Sequence, residues 1–531
     1  MRAEGRRQGW HRLPSVAGQI ANETVHNMKE LMRNLSKSNL LAFRQCPKRL
    51  WLEIHHPDYR VDSESAKARF AVGNQVGKIA QTLYDPKGTG QEVSREKQDY
   101  DTAIDRTWSL LESSQPIFEA GFATDGVQAF ADVMLPLRKG GKKVWRMIEI
   151  KSSTEVKDYH RDDVAIQAFV ALRSAVPLAS VAVAHVDSQW TYPGGNDYSG
   201  LLIEEDLTDE AFDRHAEVKA WIADAQAIAR KRREPAICTG AHCGKPFECG
   251  FLSYCQMQEP QAEYPVQWLP GALRKELKTL IEHDGVIDMR HIADELLNER
   301  QQRVKAHTLS GTTYFDGPGA AADLLSHKLP ALFLDFETIQ FAVPIWKGTR
   351  PYQQIPFQFS LHRLGRNGSL EPQSFLDLSG NDPSKGFAEA LIGACGERGP
   401  VFVYNAGFET ARIRELAERF PRLKRSLLAI NERVVDLLPV ARDRYYHPSQ
   451  QGSWSIKKVL PVVAPDLSYS DLDGVQDGGM AMKAFMEATA NQTAAARKAQ
   501  IKQQLLDYCA LDTLAMVRLW QFFSGRTNLS I

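Results

Sequence analysis

Residues 331–338 read Ala331-Leu332-Phe333-Leu334-Asp335-Phe336-Glu337-Thr338, an abrupt apolar run of strand length with two acids near its end. Side chains alternate along a strand, so Asp335 and Glu337 share one face. Two unpaired acids on a buried strand are costly, which calls for a cation beside them. In open α/β sheets such strand ends are where ligands bind. Far downstream, the helical pattern of Leu506–Thr513 puts Tyr508 and Asp512, four apart, on one helix face. Between these segments, Val401–Glu409 reads as a strand, a turn and a helix start that carries Glu409. Acids from separate segments plus a tyrosine suit two divalent ions about 3.5–4 Å apart, with Tyr508 orienting water or phosphate. The bland alternative is a structural acid pair with solvated helix charge. Asp436, after the strand-like Val434-Val435, reads as structural.

A second acidic set lies upstream. Asp132 sits in one strand-like run, and Glu149-Ile150-Lys151 ends the next. Glu149 and Lys151 share a face, and hairpin pairing brings Asp132 alongside. The two carboxylates suit Mg²⁺ or Mn²⁺ through oxygen ligands. The lysine suits activation of water and offsets phosphate charge. Glu119, upstream, and Gln167, on a following helix, are additional candidates. Taken alone this spacing is common and fits an exposed hairpin equally well.

Seven cysteines are unevenly placed. Cys238, Cys243, Cys249 and Cys255 fall in one short stretch, Cys46 stands near the start, and Cys395 and Cys509 lie far downstream. In a reducing compartment such a cluster reads as a metal or iron–sulfur site before it reads as disulfides. On spacing alone the four local cysteines close a zinc site without Cys46, with His242 to spare.

The chain of 531 residues exceeds one ordinary core and suits two α/β domains. Residues 1–33 read as a disordered tail, basic at Arg2, Arg6, Arg7 and Arg12, with Met28 an alternative start. Residues 34–260 read as one unit: helices, strands at Gln115–Phe122, Gly126–Pro136 and Val144–Lys151, a helix at Asp162–Ser174 and a strand at Ala179–Val186. Residues 261–327 read as a polar helical connector, with helices over Leu273–Glu282 and Ile292–Glu299, and residues 328–525 as the second unit, with a helix over Gln476–Gln500. No apolar run has the length of a membrane span and no signal peptide is recognisable, so a cytoplasmic location is expected. The net charge is zero, so a nucleic-acid partner requires locally concentrated charge, with Arg230–Arg233 and Lys142-Lys143 as candidate patches.

The upstream order of a Gly73-x-x-x-Gly77 helix, Asp132, Glu149-Ile150-Lys151 and a Gln167-bearing helix resembles the RecB-like branch of the PD-(D/E)XK nucleases. That resemblance implies metal and catalytic roles for Asp132, Glu149 and Lys151. The tyrosine of the family's Gln-x-x-x-Tyr motif is Ala171 here. Cys46 in Cys-Pro-x-x-x-Trp and the Cys243-x5-Cys249-x5-Cys255 run are similar to the CRISPR-associated and AddB-type members. There, one cysteine before the nuclease core and three after it hold a [4Fe–4S] cluster. The downstream pattern resembles the DEDD exonucleases of the RNase H-like, DnaQ-like fold, tyrosine subclass. It implies metal binding by Asp335, Glu337, Glu409 and Asp512 and a catalytic role for Tyr508; most members have Asp where Glu409 stands. Together these imply a two-module nuclease acting on DNA, on single strands or ends, exonucleolytically, in repair or defence. An RNA-processing exonuclease, or a nucleic-acid-binding scaffold with degenerate sites, is the alternative. Protein partners stay open, and no membrane is implied.

Overall fold

The computed structural model describes residues 34–93, 99–124 and 126–526; the expected tail, residues 1–33, lies outside them. The protein is mixed α/β and divides into two compact units, Met1–Trp190 with Asn196–Glu259, and Thr191–Gly195 with Pro260–Ile531. Among the described residues no helix is long and apolar enough to cross a membrane.

In the first unit the described residues build a seven-stranded sheet. β1 (Leu35–Ser36) pairs with β4 (Val127–Lys139), and the remaining order is β2 (Gln91–Glu92), β3 (Ile117–Thr124), β4, β5 (Lys142–Lys151), β6 (Leu178–Val186) and β7 (Leu202–Asp206). β4 and β5 form a hairpin because Gly140 and Gly141, at φ +57° and +77°, supply the two left-handed positions of a tight turn. Helix α1 (Lys37–Gln45) starts at Ser36, whose hydroxyl accepts from the Asn39 N–H at 3.1 Å. Helices α2 (Pro47–His55) and α3 (Glu64–Tyr84) follow. Helix α4 (Asp158–Arg173) starts four residues earlier than expected and is buried almost all round, so its polar members Asp163 and Gln167 need partners inside. A short helix α5 (Leu252–Gln258) carries Cys255.

In the second unit β8 (Tyr314–Phe315) pairs antiparallel with Tyr445–Tyr446, and a separate five-stranded sheet among the described residues has the order β11-β10-β9-β12-β13. These are β9 (Ala331–Ile339), β10 (Ile355–Leu364), β11 (Leu370–Leu376), β12 (Val401–Val403) and β13 (Val434–Asp436). β9 is central, antiparallel to β10 and parallel to β12. Its alternation sorts the core: Leu332, Leu334 and Phe336 pack on one side. Ala331 and Phe333 pack on the other, with Met516, Val517 and Trp520 of the C-terminal helix. Helix α6 (Gly407–Arg419) follows β12, α7 (Ile456–Val463) comes later, and α8 (Ala495–Ser524) closes the unit.

Three expectations change. The stretch 261–327 is no bare connector: Val266, Leu269, Leu277, Met289, Ile292 and Leu297 form a small buried core, and the segment from Pro260 belongs to the second unit. The helix expected at Ile292–Glu299 instead runs Glu299–Ser310, because Asn298 accepts from the Gln301 N–H at 3.0 Å and starts it. The helix expected over Gln476–Gln500 is two, Gly478–Thr489 and α8, because the backbone at Ala490 turns extended.

Phe333 is fully buried between sheet and helix. Truncation in Phe333→Ala is expected to destabilise the second unit by about 3–5 kcal/mol, read as a lowered urea midpoint.

Candidate functional site

Because 331, 333, 335 and 337 lie on one face of β9, Asp335 and Glu337 point to the side covered by α8. Asp512 lies two helical turns before Trp520 on α8. Asp335, Glu337 and Asp512 each offer a carboxylate oxygen within 4.8 Å of the others, the one such group of three among the described residues. Burial, then the Asp512 and Glu337 charges, push Asp335 well above the carboxylate range. Burial and Asp512 lift Glu337 to about 8 against the pull of the Lys457 ammonium. Burial lifts Asp512 to about 6, opposed by hydrogen bonds from Tyr469 and Tyr508 and by Lys457. The folded protein therefore crowds carboxyls where their charge is poorly solvated, an arrangement that a divalent cation with oxygen ligands would relieve.

Glu409 joins from α6, in its first turn. It is 3% exposed and its Oε2 has no hydrogen-bond partner. Burial raises it to about 8. It stands outside the 4.8 Å group, but its charge acts on Asp335. Asp436 aims it. Asp436 Oδ1 accepts from the Asn405 and Leu438 N–H groups at 2.9 Å, and Oδ2 accepts from Ala406 N–H at 3.1 Å. That clamp holds Asn405 in the left-handed region, at φ +78°, where α6 begins.

Two residues here escaped the sequence reading. The Tyr469 hydroxyl donates to Asp512 Oδ1, beside the Tyr508 ring at 6.3 Å. Lys457, on α7, places its ammonium 5.1 Å from the Tyr469 ring centre and 5.2 Å from that of Tyr508. Neither has a motif; the only signal was a basic residue in Ser455-Ile456-Lys457-Lys458.

The upstream residues meet differently. Glu149 is 3% exposed, and Lys37 and Lys151 donate to its Oε1 at 3.0 and 2.7 Å. Gln167 Nε2 donates to its Oε2 at 2.7 Å. Asp163, also missed from sequence, takes Lys151 at 2.5 Å, Gln167 at 2.9 Å and Lys37 at 3.0 Å. Burial opposes its charge, yet the Lys151 and Lys37 ammoniums hold its carboxyl well below the usual range. Asp132 Oδ2 accepts the Ile150 N–H at 2.7 Å, and burial with the Glu149 charge raises it well above its usual range. Glu119, at φ +57°, falls between the Phe118–Val133 and Ala120–Ala131 pairs of β3 and β4, opposite Asp132, and adds its charge to that effect. Thus Asp132, Glu149, Lys151 and Gln167 are brought together, but Glu149 and Asp163 are already neutralised by two lysines. Asp163, four residues before Gln167, was legible as a shared helix face; no spacing rule links Lys37 to these acids.

Cys46, Cys243, Cys249 and Cys255 are buried, and Cys238 is exposed. A pocket with about 330 Å³ of empty space, part of it open to solvent, is lined by all five. Burial raises Cys243 and Cys249, and lifts Cys255 to about 11. The neighbouring thiols add to each rise: Cys46 acts on Cys243, and Cys243 on Cys249 and Cys255. Gln45 ties the start of the unit to its end, its Nε2 donating to His242 O and Phe247 O at 2.8 Å each. Thiols from two distant segments thus line one pocket.

Comparison with known proteins adds little chemistry. Residues 332–455 match a family described as a domain of unknown function, DUF2779. The chain is 28% identical over 215 residues to the "Uncharacterized protein MG366 homolog" of Mycoplasma pneumoniae, covering 37% of this chain and 32% of that protein. The match thus spans about a third of the length of that curated relative. A solved structure titled "Crystal structure of SSO0001" aligns over 41% of this chain and 88% of its own, at 12% identity and a TM-score of 0.21.

Glu337 and Glu409 have ordinary values of 4.5 and folded values of about 8. The folded state holds more protons between these limits, so stability falls as pH rises from about 4.5 to 8. In EDTA, the Tm of the second unit is expected to drop across that window. Saturating Mg²⁺ should flatten the slope, as should Glu337→Gln. A Tm that rises with pH in EDTA contradicts this electrostatic reading.

Proposed function

We propose that this protein is a metal-dependent phosphodiester hydrolase, a nuclease whose principal site is the Asp335–Glu337–Asp512 group. The observation that carries this reading is three crowded carboxylates on a central strand and its covering helix, with the unpartnered Glu409 Oε2 beside them. Asp335, Glu337, Glu409 and Asp512 would hold Mg²⁺ or Mn²⁺. When bound, the ions supply activation of water and positive charge for the phosphodiester oxygens. The chain's own groups do the positioning. Tyr508 and Tyr469 hydrogen-bond Asp512 and fix its carboxylate. Lys457 supplies fixed positive charge, available to a phosphate as well as to the acids. The arrangement supports the RNase H-like exonuclease resemblance of 328–525; the preference for DNA over RNA rests on that resemblance alone.

The upstream unit supports the RecB-like reading through the gathering of Asp132, Glu149, Lys151 and Gln167. Lys37 on Glu149 and Asp163 favours a second reading of this unit, as one that holds nucleic acid without cutting it. Cys46, Cys243, Cys249 and Cys255, drawn from two distant segments around one pocket, support the iron–sulfur resemblance over a zinc site closed by the four local cysteines, because Cys46 is buried there while Cys238 is exposed. A [4Fe–4S] cluster there would be a structural staple, and free thiols throughout suit the cytoplasm.

The decisive experiment supplies Mg²⁺ or Mn²⁺ and end-labelled single strands of DNA or RNA to the wild type, Lys151→Ala and Asp335→Ala. Asp335→Ala is expected to lower cleavage by at least 100-fold. Undiminished cleavage in both variants and in the Lys151→Ala, Asp335→Ala double variant would reject both sites. Purified protein is expected to be brown with about four irons per chain, and Cys46→Ser to lose the colour. Colourless, zinc-loaded protein rejects the cluster.

A further inference from the structure

We propose that Phe247, Tyr159 and Arg69 form a stacking platform for an unpaired base of a single-stranded nucleic acid, at the edge of the upstream carboxylate–lysine site. The proposal rests on the reading that the upstream unit acts on nucleic acid, whether by cutting or by holding it.

Phe247 lies in the loop between Cys243 and Cys249 and is 39% exposed, outside the buried clusters of its unit. The loop is held, because the Phe247 carbonyl accepts from Gln45 Nε2 at 2.8 Å. Tyr159 meets the Phe247 ring edge-on, with centroids 4.9 Å apart at 71°. The Arg69 guanidinium, exposed on α3, sits 5.4 Å from the Phe247 ring centre. Tyr159 is in the first turn of α4, one turn before Asp163, and the charges of Lys151, Asp163 and Arg69 all act on its hydroxyl. Three elements distant in sequence thus converge next to Lys151 on a partly exposed ring, a second ring that props it, and a cation above it.

Tyr159 and Arg69 pack against Phe247 yet leave it 39% exposed on a tethered loop. A nucleobase would cover what they leave open: its π face stacks on the ring, and Arg69 adds cation–π attraction and a partner for the adjoining phosphate. Paired bases are already stacked on their neighbours, so a duplex interior offers no free face. The ligand class is therefore an unpaired stretch, and the readout is tolerant of sequence because every base has a π face.

The test measures binding of the full-length protein in EDTA by fluorescence anisotropy. The probes are a labelled single strand, its blunt duplex, and a strand of equal length lacking bases. Phe247→Ala is expected to weaken single-strand binding by about 5- to 150-fold, with Phe247→Trp restoring it. Binding of the baseless strand should not change. Equal weakening of both strands, or no weakening of the base-bearing strand, overturns the platform. Cleavage is assayed in parallel in an Asp335→Ala background. Lys151-dependent cleavage without a Phe247 effect removes the platform alone. A Phe247 effect without such cleavage leaves the platform and removes cutting by this unit.

Discussion

Like charges held together out of water set the terms for the second unit. Asp335, Glu337 and Asp512 sit within 4.8 Å of one another with little cationic relief. In a low-dielectric interior this repulsion is worth far more than in water. The strand alternation that buries Phe333 also forces Asp335 and Glu337 toward α8, so core and site are specified by one register. A slip of one residue on β9 would send the acids to the Leu332–Leu334–Phe336 side and break both. The Asp436 clamp and the two tyrosines keep the remaining ligand candidates in place around that fixed pair.

The first unit meets the same electrostatic difficulty with the opposite solution. Two ammonium groups and an amide complete the hydrogen bonding of Glu149 and Asp163. A buried network of this kind is rigid when complete and costly when one member is removed. A divalent ion arriving at Glu149 meets cations already in place, whereas one arriving at Asp335 meets only acids and the more distant Lys457. The two sites are therefore unequal in their readiness for a metal, although their motifs look equally acidic on paper.

What was legible in sequence was local. Alternation on β9, the i, i+4 pair Tyr508–Asp512 and the Glu149–Lys151 pair all follow from the period of one element. What was not legible came from contacts that cross the chain. Lys37 reaches Glu149 over 112 residues, and Tyr469 reaches Asp512 over 43. No spacing rule links such pairs. The core of 261–327 is not legible in sequence because it is built from residues scattered among polar ones in short turns rather than in one periodic helix. Asp436 reads as structural in the sequence, but its hold on the Asn405 turn depends on the parallel pairing of β12 and β13.

The tether from Gln45 to His242 and Phe247 has a consequence for biosynthesis. Its partners are separated by 197 and 202 residues, so the first unit cannot close on itself until nearly its last residue has left the ribosome. At ordinary elongation rates, α1 and α2 wait about 10–40 s for the segment that covers them. During that interval Leu52 and Trp51, buried in the finished protein against the cysteine loop and Ile228, lack the partners that bury them. The nascent chain is therefore exposed to chaperone capture early in synthesis, before either unit has a complete core.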